Sequence, residues 1–301
     1  HGKGTLKYYE IMNEPNIIFP FSAQEEYLPY LKAAYEEIKA VDPEARVVGL
    51  CNTSDMGGRM FPFFETSFKG GALDYLDIIS FHPYGSPELA SALSADSNIE
   101  EIKKLLERYS PKKYPLWNTE LYYLHESPRG ALPDERSKFD AHHVAWRFLT
   151  DLGEGLSQSM PLHSSQLIGN DNVPHPAYVV LNALARNFEG AKPVHKIKNN
   201  SRGTICYVYE RGGELIAAAW QFKDSNVQAA IPQSGDLQIL DMYGNKKSGN
   251  SSGFAFISSL LNTQEQEKIY LGSAPLYIKA RGSSMTREEF IKILQSSFAE
   301  L

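Results

Sequence analysis

Up to about residue 190 the chain alternates short, continuously apolar runs with longer stretches whose apolar residues recur at helical spacing. Leu6 to Met12 predicts a strand, and Gln24 to Ala40 a helix with Tyr27, Leu28, Leu31, Ala34, Tyr35 and Ile38 on one side. Arg46 to Leu50, Leu76 to Phe81 and Pro115 to Thr119 predict further strands, each followed by a helix: Arg59 to Phe68, Ile99 to Tyr109 and Asp134 to Leu152. A weaker strand over Met160 to Leu167 leads into a helix over Pro176 to Phe188. Unbroken apolar strands alternating with amphipathic helices imply parallel strands buried on both faces.

The strand ends Glu14, Leu50, His82 and Glu120 stand 36, 32 and 38 residues apart. A (β/α)8 barrel averages roughly 31 residues per unit, and a doubly wound sheet gives similar spacing. The barrel is favoured because Asn13-Glu14, His82-Tyr84 and Asn118-Glu120 gather polar residues at the C-terminal strand ends, where barrels build their sites. After residue 190 short candidate strands follow closely: Thr204 to Tyr209, Leu215 to Trp220, Gln228 to Ile231, Leu237 to Leu240, Phe254 to Ile257 and Lys268 to Leu271. Turn residues separate them, which predicts an antiparallel β-sandwich. Thr286 with Glu289 forms a capping box before a last helix bearing Phe290, Ile293, Leu294 and Phe298. The expected organisation is a barrel portion over 1–190, a sandwich over 191–283 and a helix over 284–301. Five βα units rather than eight imply that this sequence begins at the fourth barrel strand, with three units before His1.

Composition narrows the function classes. The net charge is -6, with no basic block, which argues against nucleic acid as a partner. No apolar run approaches the roughly 18 residues of a membrane helix. Cys51 and Cys206 fall in different predicted domains and read as two free thiols. Asn52, Asn199 and Asn250 lie in N-x-S/T triplets. No metal-ligand spacing and no glycine-rich phosphate loop suggests a cofactor, and His142-His143 lies mid-helix without such a pattern. The sequence does not specify an oligomeric state. Compartment is open too, with a secreted or periplasmic setting favoured by work on polysaccharide.

Glycoside hydrolysis needs two carboxyl groups about the scissile bond, one protonated and one ionised. Glu14 ends a strand, and Pro15 disfavours helical geometry there, keeping the side chain at the strand mouth. Glu120 closes another apolar strand in the same way. Asn13 is placed to meet a sugar hydroxyl, and Tyr122, Tyr123 and Phe19 follow the two strands as aromatic residues able to stack on sugar faces.

Asn13-Glu14-Pro15, the strand-final Glu120 and Phe81-His82-Pro83-Tyr84-Gly85 resemble the signature of the clan A glycoside hydrolases. The likeness is greatest to family 39, which includes β-xylosidases, through Glu10-Ile11-Met12-Asn13-Glu14-Pro15-Asn16, with family 5 next. The helix from Pro176-Ala177-Tyr178 and the strand Pro275-Leu276-Tyr277-Ile278 extend it over most of the chain. The resemblance implies a retaining mechanism, with Glu14 as acid/base, Glu120 as nucleophile and Tyr84 bonded to the nucleophile. It implies an oligo- or polysaccharide substrate, met by Asn13, Asn16, His82, Tyr84 and Tyr122. Met12 departs from the pattern, standing where tryptophan is common, and His163 or Gln166 would line the eighth strand in place of a tryptophan. Two rival classes are a carbohydrate-binding protein or inactive fragment that keeps the barrel without turnover, and a metal-dependent barrel enzyme.

Overall fold

The computed structural model describes residues 4–19, 21–54, 59–84, 91–121, 133–161, 167–169, 172–201, 203–221, 227–232, 237–247, 266–280 and 285–298. The chain divides into two compact units, His1–Leu124 with Glu154–His163, and His125–Gly153 with Ser164–Leu301.

The first unit is a five-stranded parallel sheet. In chain order it contains β1 (Tyr8–Ile11), α1 (Pro15–Ile18), a π-helical turn over Ala23–Tyr27 that runs into α2 (Leu28–Val41), and β2 (Arg46–Thr53). α3 (Met60–Lys69), a 3-10 turn over Ala72–Tyr75, β3 (Ile78–His82), α4 (Ser91–Tyr109), β4 (Leu116–Leu121) and β5 (Gln158–Pro161) follow. The strands lie in sequence order, each paired in parallel with the next. A doubly wound sheet would reverse its order at a switch point; this one does not. The sheet is also curled. The rings of Tyr8 on β1 and Trp117 on β4 are 4.9 Å apart, whereas three strand spacings in a flat sheet come to about 14 Å.

The side chains that build the core come from the alternation along each strand. Val47, Ile79 and Phe81 pack against Tyr27, Leu31, Phe63, Phe64 and Ile102 from the helical layer. Burying such aliphatic and aromatic side chains contributes about 1.5–3 kcal/mol each before entropy is counted. Asp77 pins the start of β2, accepting from the Val47 N–H at 2.9 Å and pairing with Lys39 at 2.8 Å and Arg46 at 3.3 Å. Burial opposes ionisation of Asp77, but these partners outweigh it and hold its carboxyl below the usual range.

The second unit is antiparallel. It begins with α5 (Pro133–Gly153) and α6 (Pro176–Phe188), followed by β6 (Lys192–Asn199), β7 (Thr204–Arg211), β8 (Glu214–Gln221), β9 (Val227–Pro232) and β10 (Leu237–Leu240). β11 (Gln266–Leu271), β12 (Leu276–Ala280) and α7 (Arg287–Phe298) complete it. The main sheet has the order β10-β12-β8-β7-β6, and β9 and β11 form a separate two-stranded ladder. Period-two alternation along β7 sends Cys206 and Val208 into a core with Ile278, Phe290, Leu294 and Phe298. Tyr209 belongs to the opposite face, where its ring and that of Tyr277 meet Phe188 of α6. Its hydroxyl donates to the Leu149 carbonyl of α5 at 2.6 Å.

Several elements differ from the sequence reading. The expected helix from Gln24 opens with a π-helical turn, and β2 runs to Thr53 rather than Leu50. β6 was not expected, because Lys192, His195, Lys196 and Lys198 interrupt its apolar pattern. The capping box forms: the Glu289 N–H donates to Thr286 Oγ1 at 3.2 Å, and the Thr286 N–H to Glu289 Oε2 at 2.8 Å. Ile291, more than Ile293, supports the packed face of α7. The strand expected over Phe254 to Ile257 lies outside the described residues. Both cysteines are free and buried.

Candidate active site

Glu14, His82 and Glu120 stand where parallel strands end, and local backbone geometry explains how. β1 stops in a sharp turn: Met12 has φ 68° and Glu14 φ 47°, both in the left-handed region. Non-glycine residues there cost on the order of 1–2 kcal/mol, strain that tertiary structure sustains mostly at functional positions. Glu14 is the cap residue of α1 and Pro15 its first member, so the carboxyl is held at the strand mouth as the sequence suggests.

β2 carries a second irregularity. Its pairing with β3 shifts between Gly49 and Asn52, and Leu50 and Cys51 have φ 79° and 40°. The fully buried Tyr27 hydroxyl accepts from the Leu50 N–H at 2.9 Å, satisfying a donor that the bulge removes from the ladder. Burial pushes the Tyr27 hydroxyl far up, so it stays protonated. Gly49 lets the helical layer approach closely: a Cβ there would lie 2.9 Å from Leu76 Cδ2 and 3.1 Å from Tyr27 Oη, so those side chains would have to shift. The bulge leaves Cys51 pointing toward the strand mouths.

Four side chains then meet. His82 Nδ1 is 2.8 Å from Glu14 Oε1 and 3.9 Å from Glu120 Oε2. Tyr84 donates its hydroxyl to Glu120 Oε1. The two carboxyl groups and His82 each place a donor atom within 4.8 Å of the others. Glu14 and Glu120 keep 19% and 17% of their side-chain surface, whereas His82 is 1% exposed and lies beneath them. On its far side His82 Nε2 is 3.1 Å from Cys51 Sγ and 3.2 Å from Thr119 Oγ1. Burial pulls the imidazole pKa down, but Cys51, Glu14 and Glu120 outweigh it and push it up to about 10.

The other candidates have distinct surroundings. Asn13 is exposed beside Glu14, its Oδ1 3.7 Å from Cys51 Sγ. Asn16 is 1% exposed and clamps Thr53, donating to its carbonyl at 2.9 Å and accepting its N–H at 3.0 Å. That pair ties α1 to the end of β2. Phe19 stacks on Tyr30 at 6.3 Å. Tyr122, Tyr123, His163 and Gln166 lie outside the described residues. His143 is packed against Trp146 and Phe139.

Cys51, Thr119 and Tyr27 are the participants that sequence reasoning missed. Cys51 had a usable signal, since it follows Leu50, the residue taken as the strand end, by one position. For a metal, the geometry among described residues offers Glu14, His82 and Glu120, or Asp96, Glu100 and Glu154. In the first group His82 Nδ1 is already bonded to Glu14; in the second, Lys103 Nζ lies 3.4 Å from Glu154 Oε2. Both are organised as hydrogen-bonded or ion-paired networks.

No protein-family model and no curated protein matches the chain. Solved structures do. The fold is similar to that of a family 39 glycoside hydrolase from the gut symbiont Bacteroides cellulosilyticus WH2, with TM-score 0.66 and 17% identity over 90% of this chain and 57% of that one. A family 30 endoxylanase from Clostridium papyrosolvens C71 gives TM-score 0.60 and 14% identity over 92% of this chain and 66% of that one. A family 44 xyloglucanase from Paenibacillus polymyxa gives 0.56 and 12%, over 92% and 66%. The chain thus spans 57% to 66% of the length of these neighbours. The resemblance to clan A, and first to family 39, agrees with the fold they share.

Proposed function

We propose that the protein is a retaining glycoside hydrolase that cleaves O-glycosidic bonds, β-linked ones in particular, in an oligo- or polysaccharide. Glu14 is the acid/base and Glu120 the nucleophile. The observation that carries the reading is the approach of the two carboxyl groups, each with an oxygen within 4.8 Å of the other. Retaining enzymes hold these groups about 5–5.5 Å apart for direct attack, while inverting enzymes leave about 6.5–9.5 Å for a water.

In the first step Glu120 attacks the anomeric carbon as Glu14 gives its proton to the leaving oxygen. In the second, Glu14 takes a proton from water, which releases the sugar from Glu120. Tyr84 holds Glu120 Oε1, leaving Oε2 for attack. The exposed Asn13 is positioned to bond a sugar hydroxyl, whereas His82 and Asn16 act from behind the surface.

The curled parallel sheet is read as part of a (β/α)8 barrel whose remaining strands would close on it, and the antiparallel unit as a β-sandwich. The unreversed strand order supports the first. The core that Ile231 and Leu271 of the small ladder share with the main sheet supports the second.

The test is release of nitrophenol from a panel of aryl β-glycosides by the full-length protein, with product anomers followed by proton NMR. Retention of configuration, and loss of turnover in Glu120→Ala, are expected. An inverted product would refute the mechanism, and silence on aryl and polysaccharide substrates would refute the activity.

A further inference from the structure

Cys51 is fully buried and touches no solvent, yet it lies against three residues of the candidate site. Its Sγ is 3.1 Å from His82 Nε2, 3.7 Å from Asn13 Oδ1 and 3.8 Å from Thr119 Oγ1. His82 Nδ1 in turn reaches Glu14 Oε1 at 2.8 Å. A buried imidazole can turn about its side-chain bonds unless both nitrogens are fixed, and the partner of one nitrogen determines what the other can do. Glu14 occupies only one.

We propose that Cys51 is a positioning residue for the acid/base: it fixes His82 Nε2, and through His82 the Glu14 carboxyl, while also bracing Asn13. This rests on the glycosidase reading of Glu14. The donor pattern closes without an orphan group. His82 donates Nδ1–H to Glu14 and Nε2–H toward the sulfur, and the thiol hydrogen goes to Asn13 Oδ1. Thr119 Oγ1, 3.2 Å from Nε2, shares the same N–H. The groups facing the ring are Glu14, Glu120, Cys51, Thr119 and Tyr84, the last with its ring centroid 6.0 Å away.

The placement of Cys51 is costly for the chain to maintain. It needs two consecutive left-handed residues and a buried tyrosine hydroxyl to satisfy the freed N–H. An ordinary continuation of β2 would need none of these. The bulge re-aims one side chain, as bulges near sites do, and the side chain it aims is Cys51.

The role predicts how substitutions act. Cys51→Ala removes the sulfur and leaves Nε2 held by Thr119 alone, so the ring is less firmly fixed and kcat should fall on the order of tenfold with KM changed less than about twofold. The loss should grow with the basicity of the leaving group, because a poor leaving group depends most on the proton from Glu14. Cys51→Ser keeps a hydrogen-bonding atom and should recover most of the activity. In Glu14→Ala, adding Cys51→Ala should cost nothing further, since contributions that act through one group are not additive.

The experiment is kinetics of these variants of the full-length protein on aryl glycosides of graded leaving group. Circular dichroism checks folding, and ¹⁵N shifts of the His82 ring report its hydrogen bonds. The expected pattern is a leaving-group-dependent loss in Cys51→Ala, rescue in Cys51→Ser, no additivity with Glu14→Ala and a shifted Nε2 resonance. Equal losses for every leaving group, or full additivity, overturn the role of Cys51 while leaving the glycosidase reading standing. If Cys51→Ala does not fold, the serine variant decides: replacing sulfur by oxygen beside Nε2 should move its ¹⁵N resonance, and a resonance identical to wild type overturns the proposal. No turnover by the wild type overturns the glycosidase reading and the Cys51 role with it.

Discussion

Replacing Tyr27 by phenylalanine isolates a single hydrogen bond. The ring stays, so the space between Leu31, Phe63 and Gly49 is still filled and no cavity cost arises. What goes is the hydroxyl oxygen 2.9 Å from the Leu50 N–H. Leu50 is fully buried, and its amide sits in a bulge where the ladder with β3 is interrupted. A buried donor left without a partner costs about 1–3 kcal/mol, more than an ordinary solvent-exchanged bond contributes. The penalty is local, so the informative assay is hydrogen exchange of the peptide spanning 46–53 in wild type and Tyr27→Phe. Exchange of the Leu50 amide should quicken roughly five- to hundredfold, with amides of β7 and β8 in the other unit unchanged. A rate at Leu50 equal to wild type would show that the bulge holds itself. The account of how Cys51 reaches the site would then be wrong.

Three further outcomes are expected. Tyr84→Phe removes the hydroxyl donated to Glu120; hydrogen bonds to charged groups are worth about 1.5–3 kcal/mol, so kcat should fall roughly ten- to hundredfold, and unchanged kinetics would remove Tyr84 from the mechanism. Asp77 has a carboxyl pKa below its unfolded value, so its stabilisation is present above about pH 4 and is lost as pH falls through the depressed folded value. Asp77→Asn should therefore destabilise the first unit by about 1–3 kcal/mol at pH 7 and by less at acid pH in urea titrations, and a difference independent of pH would refute the ion pairing. Thr286→Ala breaks the capping box of α7 and should cost about 0.5–2 kcal/mol. Denaturant melts of the antiparallel unit would detect that loss.

The parallel strands were readable because they are short and unbroken in apolar character, and their helices were readable from spacing. α6 begins and ends where the sequence predicts. β6 was hidden because half of its residues face outward with polar or charged side chains and its inward positions are few. The carboxyl pair, His82 and Tyr84 were legible from their positions at strand ends. Cys51 was signalled only by its place one residue past the expected strand end; its aim into the site depends on a bulge, which is made by backbone angles rather than by a residue pattern. Asn16 was legible as a polar neighbour of the site, but its clamp on Thr53 depends on a contact 37 residues away in the chain, which local sequence does not encode.

The first unit is discontinuous: it ends at Leu124 and resumes at Glu154, with α5 of the other unit in between. β5 therefore begins 37 residues after β4 ends. On a ribosome working at about 5–20 residues per second, β4 waits about 2–7 seconds for its neighbour. During that interval it presents an unpaired edge, and Trp117, Thr119 and Glu120 are on the exposed strand. Throughout, the nascent chain is open to mispairing at the strand that carries Glu120, and synonymous codons that slow translation between 124 and 154 would lengthen the window. Yield of soluble protein should then depend on the coding of a helix that belongs to the other unit.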